Sequence, residues 1–335
     1  MTILVVGGAG YIGSHVCKAL KEDGFEPVVY DNLSNGHAWA VKWGPLVEDD
    51  ISNDHALDAV FTKYQPGGVI HLASYIDVKE SMGNPQKYYQ NNVEGTRHLL
   101  EVMVRNQVDK IVFSSSAAVY GHPNKTPIPE DCAGHPINEY GKTKWLAEQL
   151  ISDKQLKSVS LRYFNAAGAE ASHGIGEAHN HETHLIPVTI LAALEKKPIK
   201  IFGIDHPTPD GTPIRDYIHV SDLAQAHVLA LKWLIQGGTK ISLNLGSGKG
   251  YSVKEVIDAI EQKIGPITRE ITPRNPYDPP VLVADITLAQ KILGWTPQKS
   301  DLATIISSAL EWHQRVSNSS VQETVIKWQF LGENQ

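Results

Sequence analysis

Residues 3–13 read Ile-Leu-Val-Val-Gly-Gly-Ala-Gly-Tyr-Ile-Gly, in which four branched apolar residues lead directly into a glycine-rich turn. The apolar run predicts a buried β-strand, and the residues after the turn, as far as Leu20, predict a helix. Gly7 permits a tight turn, Gly10 lets the backbone approach a pyrophosphate, and Gly13 allows close helix packing. Because a helix N-terminus offers unpaired N–H groups and the positive end of its dipole, we expect a phosphate-bearing cofactor here.

Four later segments resemble the first strand in character. They are residues 27–30, 69–73, 110–115 and 158–163, and each is too apolar for a strand with one solvated face. Longer helical patterns separate them, which is typical of parallel strands joined by helical crossovers with helices on both faces. The sequence therefore predicts an α/β fold, with a Rossmann-type doubly wound parallel sheet in residues 1–165.

Residues 166–335 differ in character, because loops rich in Gly, Pro and His separate isolated helical patterns at residues 185–196 and 221–236. We expect a smaller α/β C-terminal domain there that binds the substrate. The Pro and Gly content of residues 202–216 and 272–280 suits ordered, irregular loops facing that substrate. No linker-like stretch marks the boundary, so some later segments are expected to return to the first domain.

Composition excludes several classes of protein. With 41% hydrophobic and 20% charged residues, the 335-residue chain is typical of ordinary globular proteins. Its net charge of −7 gives no general attraction for nucleic acid or for an anionic membrane, so a local site must hold any phosphate. The sequence shows no apolar run of 18 residues and no secretory pattern, and its two cysteines, Cys17 and Cys132, suggest no disulfide framework. We expect a cytoplasmic protein.

The end of the second predicted strand carries an acidic residue, Asp31, which lies 18 residues after Gly13. A carboxylate at this place can accept hydrogen bonds from the ribose hydroxyls of NAD, and it would repel the additional phosphate of NADP. Glycine patterns alone are weak signals, but together with Asp31 they favour NAD. The alternative is that Asp31 caps the following turn, a role that Asn32 and Ser34 could share.

A second group of polar residues combines Ser116, at the end of a predicted strand, with Tyr140 and Lys144 at the start of a predicted helix. Residues four apart share one helix face, so the ammonium of Lys144 could favour ionisation of the Tyr140 phenol. Ser116 would then bridge the phenol and a substrate hydroxyl. Taken alone, a Tyr and a Lys at this spacing are more often a packing pair with a solvated tip.

Several histidines, namely His173, His179, His181 and His184, fall within 12 residues and raise the possibility of a metal site. Their segment is polar, contains glycine and has no apolar framework to fix a coordination geometry. We therefore expect a solvated substrate loop and no metal.

Together, the glycine turn, the acidic second strand, the strand-end serine and the Tyr-Lys pair resemble the extended short-chain dehydrogenase/reductase family. That resemblance implies a Rossmann domain, a nucleotide-sugar domain and reversible hydride transfer. The chain is most similar to the UDP-sugar 4-epimerases of that family, from Ile3 to about His313, through residues 7–15, 30–32, 88–96, 113–121, 161–165 and 215–220. The resemblance implies an NAD-dependent isomerase, a homodimer, that inverts C4 of UDP-glucose or UDP-galactose through a 4-keto intermediate.

The resemblance also implies roles for individual residues. The NAD site would comprise Gly7, Gly10, Tyr11, Ile12, Gly13, Asp31, Asn32, Ser34, Asn35, Asp50, Ile51, Leu72, Ala73, Ser74, Asn91, Tyr140, Lys144, Tyr163 and Phe164. The UDP-sugar site would comprise Ser116, Tyr140, Asn165, His184, Leu185, Phe202, Arg215, Tyr217, Arg274, Asp278 and Leu282. Tyr140, Lys144 and Ser116 would form the catalytic set.

Departures from the family pattern affect substrate preference more than the reaction class. Ala118 stands in place of a frequent threonine, Ile76 in place of a lysine and His184 in place of an asparagine. Pentoses, uronates or N-acetylated sugars on UDP stay open as substrates, and so does a non-catalytic NAD sensor. A 4,6-dehydratase is disfavoured, because alanines follow Ser116 where it would need carboxylates. The sequence leaves the role of residues 317–335 open.

Overall fold

The computed structural model describes residues 1–132, 134–274 and 278–318. The strands in these ranges are β1 Thr2–Val6, β2 Glu26–Asp31, β3 Leu46–Glu48, β4 Gly68–His71, β5 Lys110–Ser116, β6 Lys157–Tyr163, β7 Asn165–Ala167, β8 Ile199–Phe202, β9 Ile214–His219, β10 Lys240–Leu245, β11 Gly250–Ser252, β12 Arg269–Thr272 and β13 Val281–Leu282. The α-helices are α1 Tyr11–Glu22, α2 Asp54–Tyr64, α3 Val78–Gly83, α4 Pro85–Tyr88, α5 Gly95–Arg105, α6 Glu139–Asp153, α7 Leu185–Leu194, α8 Val220–Ile235, α9 Val253–Ile264, α10 Thr287–Leu293 and α11 Leu302–Asn318.

The largest sheet has seven parallel strands in the order β10-β6-β5-β4-β1-β2-β3. From β3 to β6 this is the strand order of a Rossmann fold, with β10 added beside β6. The predicted doubly wound parallel sheet is therefore confirmed. Strands β3 and β10 were not among the strands predicted from the sequence.

Helices cover both faces of this sheet, as expected for strands that are apolar on both sides. Successive residues of β1 point to opposite faces, so Ile3 and Val5 pack with α1 and α8, whereas Leu4 and Val6 pack with α2, α5 and α6. All four side chains are almost completely buried. Both layers of the core are thus anchored on the strand that carries the glycine turn.

The second part of the chain adds smaller sheets beyond the carboxyl ends of the parallel strands. Strand β9 pairs with β7, β11 and β13, and β8 pairs with β12. Helices α7, α9 and α11 pack around a separate apolar cluster that includes Ile186, Ile257 and Ile305. Helix α7 ends two residues before the predicted end, where Lys196 has a φ of 56°.

The later residues do not all stay with the smaller sheets, because α8 packs on α1 and β10 pairs with β6. A domain boundary at residue 165 therefore stays a prediction, with 220–245 as the segment that returns to the large sheet. Among the described residues, no helix is long and apolar enough to cross a membrane. Of residues 317–335, whose role the sequence leaves open, the first two end α11 and residues 319–335 lie outside the described ranges.

Candidate active site

The turn after β1 packs tightly against its own chain because two of its residues are glycines. Gly7 has a φ of +85°, and a Cβ on it would lie 2.4 Å from the Ala73 backbone nitrogen. A Cβ on Gly13 would lie 2.2 Å from the Gly7 carbonyl oxygen. Helix α1 begins at Tyr11, so its unpaired N–H groups face this turn. The geometry forms a cradle that suits a pyrophosphate.

Asp31 ends β2 directly beside this cradle and is 9% exposed. Its two carboxylate oxygens accept hydrogen bonds from the backbone N–H of Ala9 and of Leu33, both at 2.9 Å. Burial raises the pKa of the Asp31 carboxyl, and the two backbone donors oppose that rise. The side chain therefore braces the glycine turn and caps the next one, and each oxygen keeps a lone pair for a ribose hydroxyl.

The neighbouring strand ends hold the rest of the predicted adenosine pocket. Asn32 donates to the Asp50 carboxylate at 2.7 Å, and the Tyr30 hydroxyl donates to the Asp50 carbonyl at 2.8 Å. Ile51 is buried against Gly95, where a Cβ would lie 2.6 Å from the isoleucine side chain. This part of the predicted NAD site is brought together at the carboxyl ends of β2 and β3.

The segment after β4 is held by a residue that the sequence reasoning did not assign. Asn92, which is 3% exposed, accepts from the Tyr75 backbone N–H at 2.9 Å and donates to the Thr143 hydroxyl at 3.0 Å. It lies in a π-helical turn, Tyr89–Glu94, a form common at functional sites. Asn92 therefore ties the chain around Ser74 to helix α6.

The predicted catalytic residues converge where β5 meets the start of α6. Ser116 is the last residue of β5, and its hydroxyl hydrogen-bonds with Tyr140 while accepting from the Ala118 backbone N–H at 3.1 Å. Helix α6 begins at Glu139, because Asn138 caps it by accepting from the Gly141 N–H at 2.7 Å. Tyr140 thus lies in the first turn of α6, facing the strand end that carries Ser116.

Lys144 is 2% exposed, and its ammonium donates to the Ser114 carbonyl at 2.8 Å. The same nitrogen lies 5.9 Å from the centre of the Tyr140 ring. Burial lowers the pKa of Lys144 to about 7, opposed by the negative charge of Glu148. The hydrogen bond to the Ser114 carbonyl and the burial hold the Lys144 side chain in one position near Tyr140.

The electrostatics of the tyrosine differ from the sequence expectation. Burial raises the pKa of the Tyr140 phenol, and the hydrogen bond with Ser116 lowers it in part. Desolvation is the larger of these two effects on the phenol, and the Lys144 ammonium donates to the Ser114 carbonyl. Ser116 is the side chain that hydrogen-bonds with the phenol.

A buried ion pair behind the site was also missed at the sequence level. Glu148, one helical turn beyond Lys144, accepts from Arg162 at 2.6 Å and from the Ser115 hydroxyl. Arg162 also donates to the Tyr120 hydroxyl at 3.2 Å and to the Glu130 carbonyl at 3.0 Å. The signal for this pair in the sequence is that Glu148 follows Lys144 by four residues, so a third polar residue continues the Tyr-Lys spacing on the same helix face.

Strand β9 and its partners collect several of the predicted substrate residues. Arg215 forms an ion pair with Asp278, and Leu282 lies opposite Arg215 in the register of β13 with β9. Tyr217 is 5% exposed and lies opposite Asn165, whose amide donates to the Asp216 carbonyl at 2.9 Å. These five residues therefore form one group around β9.

Phe202 and Arg274 are brought together by the paired ends of β8 and β12. Gly203, between them, has a φ of +85°, and a Cβ there would lie 2.4 Å from the Arg274 Cβ. Phe202 is 57% exposed, an unusual state for a large apolar ring, and Arg274 is near Asp205 at 3.7 Å. An exposed ring beside a guanidinium suits a nucleobase and its phosphates.

The remaining predicted residues occupy the expected strand ends or loops. The Tyr163 hydroxyl hydrogen-bonds with Ser114 at the end of β6, and Phe164 is buried. His184 precedes α7, which begins at Leu185, and its Nδ1 lies 2.5 Å from the Glu177 carboxylate. The other residues are Gly10, Tyr11, Ile12, Ser34 and Asn35 around the first turn, and Leu72, Ala73, Ser74 and Asn91 after β4.

A glycine cradle on the first strand, a buried acid on the second and a Ser-Tyr-Lys set across the sheet define an NAD-binding enzyme of the short-chain dehydrogenase/reductase type. Residues 3–246 match the NAD dependent epimerase/dehydratase family, and the chain belongs to that family. The resemblance drawn from the motifs is thereby confirmed.

Individual relatives agree over most of the chain. It is 50% identical over 319 residues to the UDP-glucose 4-epimerase of Rhizobium meliloti (strain 1021), covering 93% of this chain and 97% of the relative. The crystal structure of UDP-glucose 4-epimerase from Brucella ovis in complex with NAD superposes with a TM-score of 0.90 at 47% identity, covering 92% and 97%. A UDP-glucose-4-epimerase from Stenotrophomonas maltophila, with bound NAD and formylated UDP-arabinopyranose, gives 0.91 at 38% identity, covering 95% and 99%.

Proposed function

We propose that this chain is an NAD-dependent 4-epimerase of UDP-sugars, with UDP-glucose and UDP-galactose as its substrates. The grouping of Ser116, Tyr140 and Lys144 at the carboxyl edge of the sheet whose central strand carries the glycine turn supports the proposal. The 50% identity to a UDP-glucose 4-epimerase over nearly the whole chain supports the particular reaction.

The residues present fit NAD. Gly7 and Gly13 let the turn approach the Ala73 backbone and α1 more closely than a Cβ would allow, the start of α1 offers N–H groups to the pyrophosphate, and Asp31 has lone pairs for ribose. When bound, NAD accepts a hydride from the sugar and later returns it. The assignment of the individual NAD-contacting residues is part of the proposal.

Tyr140 takes the proton of the sugar 4-hydroxyl, and Ser116 holds both that hydroxyl and the phenol oxygen. Lys144, fixed by the Ser114 carbonyl, supplies positive charge beneath the phenolate as it forms. The resulting 4-keto sugar turns about its bond to the diphosphate and presents its opposite face. Tyr140 then returns the proton to the new hydroxyl, so the residues end in their starting state.

The turning step requires a firmly held nucleotide and a loosely held sugar. Arg215 and Arg274 suit the diphosphate because a guanidinium donates paired hydrogen bonds to phosphate oxygens. Phe202 offers an exposed ring for uracil. Asn165, His184, Leu185, Tyr217, Asp278 and Leu282 complete the proposed nucleotide-sugar site. Recognition is thereby concentrated on the part of the substrate that does not move.

The proposal includes a homodimer in the cytoplasm that binds neither nucleic acid nor membrane. The homodimer and the location rest on similarity to the family, and the absence of nucleic-acid and membrane partners rests on the net charge of −7. Light scattering of the purified protein tests the dimer. A molar mass in solution of about one chain would count against it.

The decisive experiment follows UDP-hexoses and UDP-pentoses by NMR with purified protein. We expect interconversion of UDP-glucose and UDP-galactose, and NAD released on denaturation without having been added. Tyr140→Phe should lower turnover by about 100- to 10,000-fold while UDP binding survives. The matched control is Tyr64→Phe, at the end of α2 and away from the site. Near wild-type turnover in Tyr140→Phe would show that the base is elsewhere, whereas turnover of pentoses alone would reassign the substrate.

A further inference from the structure

A loop before α7 gathers four metal-ligating side chains that the proposed epimerase chemistry does not use as a group. Glu177, His179, Glu182 and His184 each offer one ligand atom, and these atoms all lie within 4.8 Å of one another. Both imidazoles approach with Nδ1, at 3.3 Å and 2.5 Å from the same Glu177 oxygen. Four side chains from eight residues of chain thus converge on a single point.

Three of the four contacts between an imidazole nitrogen and a carboxylate oxygen in this group have the spacing that a small tetrahedral ion requires. Zinc bonds of about 2.0–2.2 Å place neighbouring ligand atoms about 3.4 Å apart at the tetrahedral angle. His179 Nδ1 lies 3.3 Å from Glu177 Oε1 and 3.3 Å from Glu182 Oε2, and His184 Nδ1 lies 3.5 Å from the other Glu182 oxygen, Oε1. Only the contact between His184 and Glu177, at 2.5 Å, is shorter, and an ion would lengthen it by about 1 Å.

The surroundings hold this arrangement in place. Glu177 is 4% exposed, and its backbone carbonyl accepts from the Trp312 indole N–H at 2.7 Å. One Glu182 oxygen accepts from the backbone N–H groups of Thr183 and His184, which fixes the carboxylate toward the cluster. The loop therefore has the packed framework that its sequence did not suggest.

We propose that Glu177, His179, Glu182 and His184 form a binding site for a first-row divalent cation, with Zn²⁺ as the best match. Two imidazoles and two carboxylates are ligands that Zn²⁺ accepts in four-coordinate sites, whereas Mg²⁺ prefers six oxygen ligands. The sequence expectation of no metal considered histidines alone. In the structure Glu177 and Glu182 take the places that His173 and His181 do not fill.

A cation at this point would hold a loop that adjoins three helices, of which α1 and α7 begin at residues of the proposed active site. The ring of Tyr11, in the first turn of α1, lies 6.5 Å from the His179 ring. Trp312, which contacts the Glu177 backbone, belongs to α11, and His184 immediately precedes α7. The ion would therefore lock the loop between cofactor and nucleotide, leaving His184 Nε2 free for substrate. Cation binding does not depend on the proposed epimerase activity.

Calorimetry with the metal alone tests the site. NAD-loaded protein is treated with a chelator, dialysed, and titrated with Zn²⁺ and separately with Mg²⁺. We expect one Zn²⁺ per chain with a Kd at or below about 1 µM, a raised thermal midpoint, and no comparable response to Mg²⁺. Visible absorption of bound Co²⁺ should show the four-coordinate form in the unmodified protein.

Variants assign the ligands. Glu182→Gln and His179→Gln should each weaken Zn²⁺ binding by about tenfold or more, whereas His181→Gln, exposed in the same loop, should change it by less than about twofold. NAD content and circular dichroism verify folding. If both ligand variants fail to fold, the Co²⁺ spectrum of the unmodified protein decides. Absence of stoichiometric Zn²⁺ binding, equal affinity in all variants, or a six-coordinate Co²⁺ spectrum would overturn the site.

Discussion

Replacing Glu148 by Gln removes one charge from the ion pair behind the active site. The Glu148 and Arg162 side chains are 5% and 7% exposed, and three of their atom pairs lie within 3.3 Å. Glu148 also accepts from the Ser115 hydroxyl, next to Ser116. The substitution keeps the size of the side chain and removes the carboxylate charge that contacts the buried guanidinium of Arg162.

The expected loss can be worked out from this burial. Breaking a buried pair by removing one partner destabilises a protein by about 3–5 kcal/mol, because the remaining charge stays desolvated. Gln can still accept from one of the former donors, and Arg162 keeps Tyr120 and the Glu130 carbonyl. We therefore expect Glu148→Gln to lower the free energy of unfolding by about 3 kcal/mol, the lower end of that range.

Urea unfolding followed by circular dichroism measures this loss. The matched control is Glu195→Gln, which breaks an exposed pair with Lys197 whose side chains are 54% and 70% exposed, and which should change stability by about 1 kcal/mol or less. The double variant Glu148→Met with Arg162→Met should recover most of the loss, since it leaves no buried charge. A loss of less than about 1 kcal/mol in Glu148→Gln would refute the reasoning.

Three further outcomes are expected. Leu282→Cys should raise activity on UDP-N-acetylglucosamine relative to UDP-glucose and Leu282→Tyr should lower it, within the roughly 10- to 200-fold range of a steric filter. If a coupled assay shows the same ratio of the two activities in both variants, Leu282 is a packing residue. Asp31→Asn should reduce NAD retention and narrow the preference for NAD over NADP, as measured by fluorescence titration, because the repelling charge is lost. Burial lowers the pKa of His71 to about 3 and of His227 to about 4. As the pH falls, these imidazoles therefore take up protons in the unfolded chain before they do so in the folded protein. Stability should therefore fall as the pH drops from 6.5 toward 4, by about 1.4 kcal/mol per unit for each such histidine. Urea titrations at several pH values should show that the free energy of unfolding of His227→Gln changes less steeply with pH, by the contribution of one proton. A slope equal to that of the unmodified protein would show that His227 is not buried in its neutral form.

The elements of the large sheet could be predicted where local sequence and tertiary role coincide. Strand β1 and the turn at Gly7 combine an apolar run with glycines that the backbone requires. Strand β3 has three residues at the sheet edge, too few to show a pattern. Strand β10 reads Lys-Ile-Ser-Leu-Asn-Leu and pairs with β6, which ends 77 residues before it begins. That pairing is a property of the folded chain and leaves no local signal.

The residues of the candidate site also divide into those that local sequence can predict and those that it cannot. Ser116, Tyr140 and Lys144 could be proposed from sequence because a strand end and a four-residue helical step fix where side chains point. The cluster of Glu177 and His184 could not, since its geometry depends on how an irregular loop turns and on its contact with Trp312. Histidine spacing alone does not indicate that Glu177 and Glu182 join this cluster.

Helix α6 explains why the ion pair and the proton chemistry belong together. Tyr140, Lys144 and Glu148 follow one another at four-residue steps, so a phenol, an ammonium and a carboxylate share one helix face, on which Lys144 and Glu148 are buried. Burial lowers the pKa of Lys144 to about 7, and the charge of Glu148 opposes that effect. Without Glu148 the pKa of Lys144 should fall further, and a neutral amine could not stabilise the Tyr140 phenolate. If Glu148 acts only as a structural partner of Arg162, Glu148→Gln should leave the pH profile of turnover unchanged. If Glu148 also supports the charged form of Lys144, the decline of activity with rising pH should begin at a lower pH in Glu148→Gln than in the unmodified protein.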